Sequence, residues 1–321
     1  ERRLSYATTE DIFTVLHDKR LSIAPVVNSD GTLAGVMTKK GVLRSAIFKP
    51  AFNNQKELLT SVAVGINQDL EHKVSRLMEI GVDVIVLDTA HGHQEKMMHA
   101  ISRVRALIGP HRPLAAGNIV TAQAAKQFIE AGASILKVGV GPGAMCTTRM
   151  MTGMGRPQFS AVREVSGIAR SHGVHVWADG GVKHPRDIAL ALAAGADCAM
   201  IGSWFAGTYE SPADIQRDER GRMYKENFGM ASRRAVKNRN EGREAYTRAQ
   251  KEYFEEGISQ SKIYLDNTKG SVEDILDQIS AGLRSSFTYA GAKNISEFYK
   301  NAVIGVQTQA GYAEGRAKRE M

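Results

Sequence analysis

The chain has 321 residues, of which 43% are hydrophobic and 24% charged, and a formal net charge of +8. That balance suits an ordinary soluble protein of one large domain or two smaller ones, without the run of about 18 apolar residues that a membrane span needs. Two cysteines, Cys146 and Cys198, cannot build a disulfide framework, and no secretory apolar region follows Glu1-Arg2-Arg3, so a cytoplasmic setting is expected. The basic excess favours anionic small ligands such as nucleotides; with no basic stripe interleaved with aromatics, no recognition helix and no zinc pattern, it speaks against nucleic acid.

In chain order, the pattern predicts a helix over 9–19, a strand over 23–27, a turn over 28–31, a strand over 33–37 and a helix over 40–48. From residue 58 onward, apolar runs alternate with helical spacing. Strands are predicted over 60–66, 82–88, 114–119, 135–140, 175–181 and 198–202. Helices are predicted between them over 71–80, 93–108, 121–131, 159–171 and 187–194, with Thr121 as an N-cap whose hydroxyl can accept a free backbone N–H. Cys198, in an apolar strand pattern, is expected in the core.

Near-continuous apolar strands alternating with helices imply a parallel sheet covered on both faces. Polar and glycine residues gather at the strand ends, at Asp88, Gly117-Asn118, residues 139–146, Asp179-Gly180-Gly181 and Gly202-Ser203. In a (β/α)8 TIM barrel the active site is built at that rim, whereas a doubly wound sheet would gather its ligand groups at one switch point. Six strands are two short of a closed barrel. Residues 218–262 break the rhythm, with many charges and few apolar anchors, and are expected to form a mobile lid or to be partly disordered.

The most specific stretch is Gly141-Pro142-Gly143-Ala144-Met145-Cys146-Thr147-Thr148-Arg149, which follows the apolar run 135–140. Gly and Pro force a turn there, and a thiol at a strand mouth beside Arg149 can be held as a reactive thiolate. The run closely resembles the catalytic loop of the inosine-5′-monophosphate dehydrogenase and guanosine-5′-monophosphate reductase family. The likeness continues at residues 88–93, 116–118, 178–181, 201–203, 229–230 and 256–257, and Pro25 to Thr38 resembles the second half of a cystathionine-β-synthase (CBS) motif.

The resemblance implies a (β/α)8 barrel interrupted after its second β/α unit by a pair of nucleotide-sensing CBS modules. Residues 1–50 would then be the second half of that insert, and 51–321 the catalytic barrel with a flexible flap at about 218–262. The chain would begin inside the insert, with two β/α units and the first part of the CBS pair before Glu1. A homotetramer or larger assembly, and a regulatory nucleotide at the CBS module, are implied in the same way.

Carried over position by position, Cys146 would attack C2 of the purine of GMP or IMP. Thr148 and Glu256 would deliver the proton that a leaving amine needs. Glu256 stands among many acids, and only its place in Glu256-Gly257 marks it. Asp179 would accept from the ribose hydroxyls, Gly181, Gly202 and Ser203 would cradle the 5′-phosphate, and Gly229-Met230 would pack on the base. Asp88, Asn118 and Arg149 would serve the dinucleotide cofactor, NADPH in a reductase. The carbonyls of Gly141, Gly143 and Cys146 match positions that hold a monovalent cation in dehydrogenases, so K+ is an open option. His91 and His93 have no third ligand nearby in sequence, and a metal there is rejected.

Two features bear on the branch. Thr152-Gly153 resembles the reductases where dehydrogenases usually have Ala-Gly. Lys251-Glu252-Tyr253-Phe254 lacks the Arg-Tyr pair with which a dehydrogenase activates water. Against both branches, Ala144 replaces the serine that usually touches the phosphate, Ala231 a serine near the base, and Tyr253 an arginine of many reductases. The whole most resembles the CBS-containing GMP reductases of some bacteria and implies a place in purine salvage. NAD-dependent oxidation of IMP is the alternative, and a catalytically weak nucleotide sensor is the alternative of another class.

Overall fold

The computed structural model describes residues 8–315 apart from 68, 230–231, 240–243, 245, 247–249, 251–252 and 254–260. It divides into two units at Thr60/Ser61. The first holds α1 (Thr9–Asp18), the antiparallel pair β1 (Ile23–Val27) and β2 (Leu33–Thr38), and α2 (Lys39–Ile47). Thr8 and Asp11 close a reciprocal cap on α1, with Asp11 N–H donating to Thr8 Oγ1 at 3.2 Å and Thr8 N–H to Asp11 Oδ2 at 2.9 Å. Leu16 on α1 and Val42 on α2 are buried, and the two helices pack on each other.

The second unit is a six-stranded parallel sheet in sequential order: β3 (Ser61–Val64), β4 (Val84–Asp88), β5 (Leu114–Ile119), β6 (Ile135–Val138), β7 (His175–Asp179) and β8 (Cys198–Met200). The intervening helices are α3 (Leu70–Glu79), α4 (Glu95–Ile108), α5 (Ala122–Glu130), the short α6 (Thr148–Thr152), α7 (Gln158–Ser171) and α8 (Pro185–Ala193). All six expected strands and the helices between them form, with ends trimmed by a few residues.

Side chains alternate between the faces of a strand, and here the alternation along β4 to β7 sorts their side chains into two of the three apolar clusters. Ile85, Leu87, Leu114, Ala116, Leu136, Val138, Val176 and Ala178 join the helices in one large apolar core. Val84, Val86, Ala115 and Ile135, with Trp177, form a second cluster on the opposite face. Period two then carries Asp88, Lys137 and Asp179 onto the side of the second cluster. The β5–β6 register skips one residue: Gly117 pairs with Lys137 and Ile119 with Val138, which leaves Asn118 as an extra residue in the ladder.

Helix α5 begins as expected. Thr121 Oγ1 accepts the Ala124 N–H at 3.2 Å, and Glu164 of α7 accepts the Ala122 N–H at 2.9 Å while also pairing with Arg156. Thr121→Ala is expected to cost about 1 kcal/mol, a fall of roughly 2–4 °C in the melting midpoint by calorimetry. The Ala122 N–H, and after it Arg156, hold the Glu164 carboxyl below its ordinary range. A lowered folded value means this contribution is present above the unfolded value and is lost as pH falls through the folded one. Glu164 is about one-third exposed, so the contribution is a fraction of a kcal/mol. The midpoint of Glu164→Gln should accordingly change less between pH 7 and pH 3 than that of the native chain.

Beyond β8 come α9 (Ser203–Ala206), β9 (Ile215–Arg217), β10 (Met223–Asn227), α10 (Arg233–Arg239), β11 (Ser261–Tyr264), α11 (Val272–Tyr289), α12 (Ile295–Asn301) and α13 (Gln309–Glu314). Within and beside the stretch expected as a flap, β9, β10 and β11 form an antiparallel sheet in the order β11-β10-β9. The buried Lys225 ammonium anchors it by donating to the carbonyls of Tyr209 and Ser211. One sequence expectation is corrected. Cys198 is not in the core but exposed, because β8 pairs with β7 alone among the described strands. Partial burial still pushes its thiol pKa up. Among the described residues no helix is long and apolar enough to cross a membrane.

Candidate active site

The C-terminal ends of the parallel strands open into a cleft of about 830 Å³. Its lining brings together Cys146, Thr148, Asp179, Gly181, Gly202, Ser203 and Gly229, and, toward the β4–β5 side, Asp88 and Asn118. Of the residues singled out in the sequence, Arg149 does not join them. Its guanidinium turns back under the loop, donating through Nε to the Val140 carbonyl at 2.8 Å and through a second nitrogen to the Arg156 carbonyl. It braces the loop instead of facing the cleft. Met230 and Glu256 lie outside the described residues.

The loop that carries the thiol is a tight structure. The Cys146 N–H donates to the Gly143 carbonyl at 3.1 Å, and α6 starts at Thr148 two residues on. The Cys146 thiol is exposed and donates to Thr148 Oγ1 at 3.2 Å, while Thr148 itself is buried. A nucleophile and a hydroxyl are thus in contact at the cleft surface, the spacing needed to pass a proton to or from a group bonded to the sulfur. Gly180, at φ +84°, lets the chain leave β7 in a left-handed turn; a Cβ there would stand 3.2 Å from the Gly143 nitrogen and from Pro142.

Beneath the loop lies a polar network that sequence reasoning did not find. Lys137, 2% exposed, projects from β6 and pairs with Asp179 at the end of β7, and with Asp88 Oδ1 at the end of β4 at 3.2 Å. Asn118 Nδ2 donates to Asp179 Oδ2 at 2.9 Å and to the Gly139 carbonyl at 2.6 Å. Lys137 had been absorbed into an apolar run. The available signal was a lone lysine in a strand buried on both faces, flanked by strands ending in aspartate, because a buried ammonium is stable only when paired.

The IMP dehydrogenase / GMP reductase domain model matches residues 34–318. The chain belongs to this family. The match to the IMP dehydrogenase / GMP reductase family spans both units, from β2 to beyond α13. Among relatives, the chain is 55% identical over 305 residues to the GMP reductases of Mycobacterium bovis and Mycobacterium tuberculosis. It is 38% identical over 303 residues to the inosine-5′-monophosphate dehydrogenase of Streptococcus pyogenes. These alignments take in 95% and 94% of this chain but only 63% and 60% of the relatives. The crystal structure of a GMP reductase from Trypanosoma brucei in complex with guanosine 5′-monophosphate superposes with a TM-score of 0.75 at 33% identity, covering 99% of this chain and 64% of that one.

A family cofactor of the nicotinamide type is compatible with the residues present. The cleft that holds the thiol is also lined by Asp88, Thr89, Ala90 and Asn118, which adds a carboxylate and an amide on its β4–β5 side. The Gly143 carbonyl, one of those that could face a monovalent cation, accepts the Cys146 N–H and keeps a second lone pair. Among the described residues, no group of three or more His, Cys, Asp or Glu side chains could hold a metal ion.

Proposed function

We propose that this chain carries the reductive deamination of GMP to IMP and ammonia, with NADPH as the reductant. The observation that carries the reading is the Cys146 thiol, 3.2 Å from Thr148 Oγ1 in a cleft shared with Asp179 and the turn at Gly202-Ser203. The higher identity to GMP reductases than to the streptococcal dehydrogenase supports the branch, as do Thr152-Gly153 and the absence of an Arg-Tyr pair at Glu252-Tyr253.

In this reading Asp179 accepts from the ribose hydroxyls, and backbone N–H groups of Gly181, Gly202 and Ser203 hold the 5′-phosphate. Gly229-Met230 packs on the base. The Cys146 sulfur adds to C2 of the purine, forming an S–C2 bond. Thr148, relaying from Glu256, protonates the C2 amine, which leaves as ammonia and yields a thioimidate on Cys146. NADPH, when bound near Asp88 and Asn118, supplies hydride. Once C2 is reduced, its bond to sulfur breaks, giving IMP and a free thiolate that the Thr148 hydroxyl steadies. The strands β3–β8 are six of the eight walls of a (β/α)8 barrel, and the first unit is part of a CBS module open to a regulatory nucleotide. A homotetramer completes the proposed assembly.

The test is absorbance at the reduced nicotinamide band. Loss of NADPH signal on adding GMP, with none on adding IMP, is expected. Turnover only with IMP plus NAD would assign the chain to the dehydrogenase reaction, and turnover with neither pair to a nucleotide sensor.

A further inference from the structure

We infer that Lys137 is a positioning residue common to the β4 and β7 sides of the cleft, one buried ammonium that aims Asp179 at the nucleotide and Asp88 at the second ligand. The inference rests on the GMP reading for the identity of the ligands, but its geometry stands apart from it. Lys137 is 2% exposed, and its ammonium reaches carboxylates at the ends of two strands that are not neighbours: β4 and β7 lie on either side of the β5–β6 pair. Among the described residues, no side chain on either carboxylate's own strand supplies a hydrogen bond to it in this network.

The stem is held as firmly as the head. Gly117 pairs with Lys137 across the ladder, and a Cβ at Gly117 would lie 2.5 Å from the Lys137 carbonyl oxygen and 2.6 Å from the Lys137 Cβ. Only glycine allows β5 to press this closely on the lysine. The adjacent extra residue, Asn118, then adds its own donor to Asp179.

The donors choose between the two oxygens of Asp179. Lys137 and Asn118 Nδ2 both bond to Oδ2. Oδ1 is therefore the oxygen left for a ligand's hydroxyls, and the carboxylate cannot rotate without breaking two charge-assisted bonds. Removing the ammonium would leave two carboxylates in a cleft floor with one neutral donor between them. Both would be free to swing, and affinity for both ligands would fall together.

The experiment uses the full chain as Lys137→Met and Lys137→Arg, with GMP affinity by titration calorimetry, KM and kcat for GMP and NADPH, and thermal melting. The methionine variant is expected to bind GMP at least tenfold more weakly and to raise KM for both ligands by more than kcat falls. The arginine variant, which restores the charge, should recover GMP affinity to within about threefold of the native chain. A folded Lys137→Met that binds GMP within twofold of native would overturn the assignment, as would a folded Lys137→Arg with a loss above tenfold. If Lys137→Met does not fold, the arginine variant decides by the same criterion. Failure of the native chain to bind GMP or IMP would overturn the nucleotide reading, and this assignment with it. Native binding with an unaffected methionine variant would overturn this assignment alone.

Discussion

Cys146→Ala is expected to abolish turnover while leaving GMP affinity within an order of magnitude. In the proposed reaction the sulfur is the atom that bonds to C2, and nothing else in the described cleft offers a comparable nucleophile beside a hydroxyl. Removing a nucleophile that acts as a unit with its proton donor lowers kcat by roughly four orders of magnitude or more. The ribose and phosphate contacts should stay, because the proposed reading gives them to Asp179 and to backbone groups on other loops. Titration calorimetry with GMP and the nicotinamide absorbance assay separate the two effects. A covalent GMP adduct trapped on any residue other than Cys146 would refute the assignment, and so would a loss of GMP affinity as large as the loss of rate.

Asp179→Ala should instead act on binding. A carboxylate accepting from two hydroxyls loses a charge-assisted acceptor, worth about 2–3 kcal/mol, so GMP affinity is expected to fall by roughly 30- to 150-fold. The fold should tolerate the change, since Lys137 keeps Asp88 at 3.2 Å as a counter-charge. An unchanged dissociation constant in a protein that melts normally would count against the ribose role.

How far the site was legible from residues alone differs sharply between its parts. Strand β5 was expected over 114–119 and runs over Leu114–Ile119, because an apolar stretch between Pro113 and a capping Thr121 leaves little choice. The cleft residues on strand ends were also visible, since glycines and acids that interrupt apolar runs stand out. Lys137 did not, because pattern reading averages over a run and a single paired cation in it looks like noise. The sheet of β9 to β11 was hidden for a related reason. Tyr224-Lys225-Glu226 reads as a solvated stretch, yet Tyr224 and Lys225 are buried, the ammonium against carbonyl oxygens that no sequence pattern announces. Arg149 misled in the opposite direction. Its closeness to the thiol in sequence suggested electrostatic activation, whereas backbone carbonyls claim its guanidinium.

The extra residue in β5 changes how that strand is written. Up to Gly117 the odd positions face the cleft side and the even positions the helices, with Ala115 in one cluster and Leu114 and Ala116 in the other. After Asn118 the parity inverts: Ile119, an odd position, belongs with the helix-side core. The strand therefore carries two messages in two reading frames, and Asn118 is the punctuation between them. One consequence is freedom to vary. Substitutions that retune the cleft at position 118 need not be copied into the hydrophobic alternation on either side, so chemistry and packing can change independently along six consecutive residues.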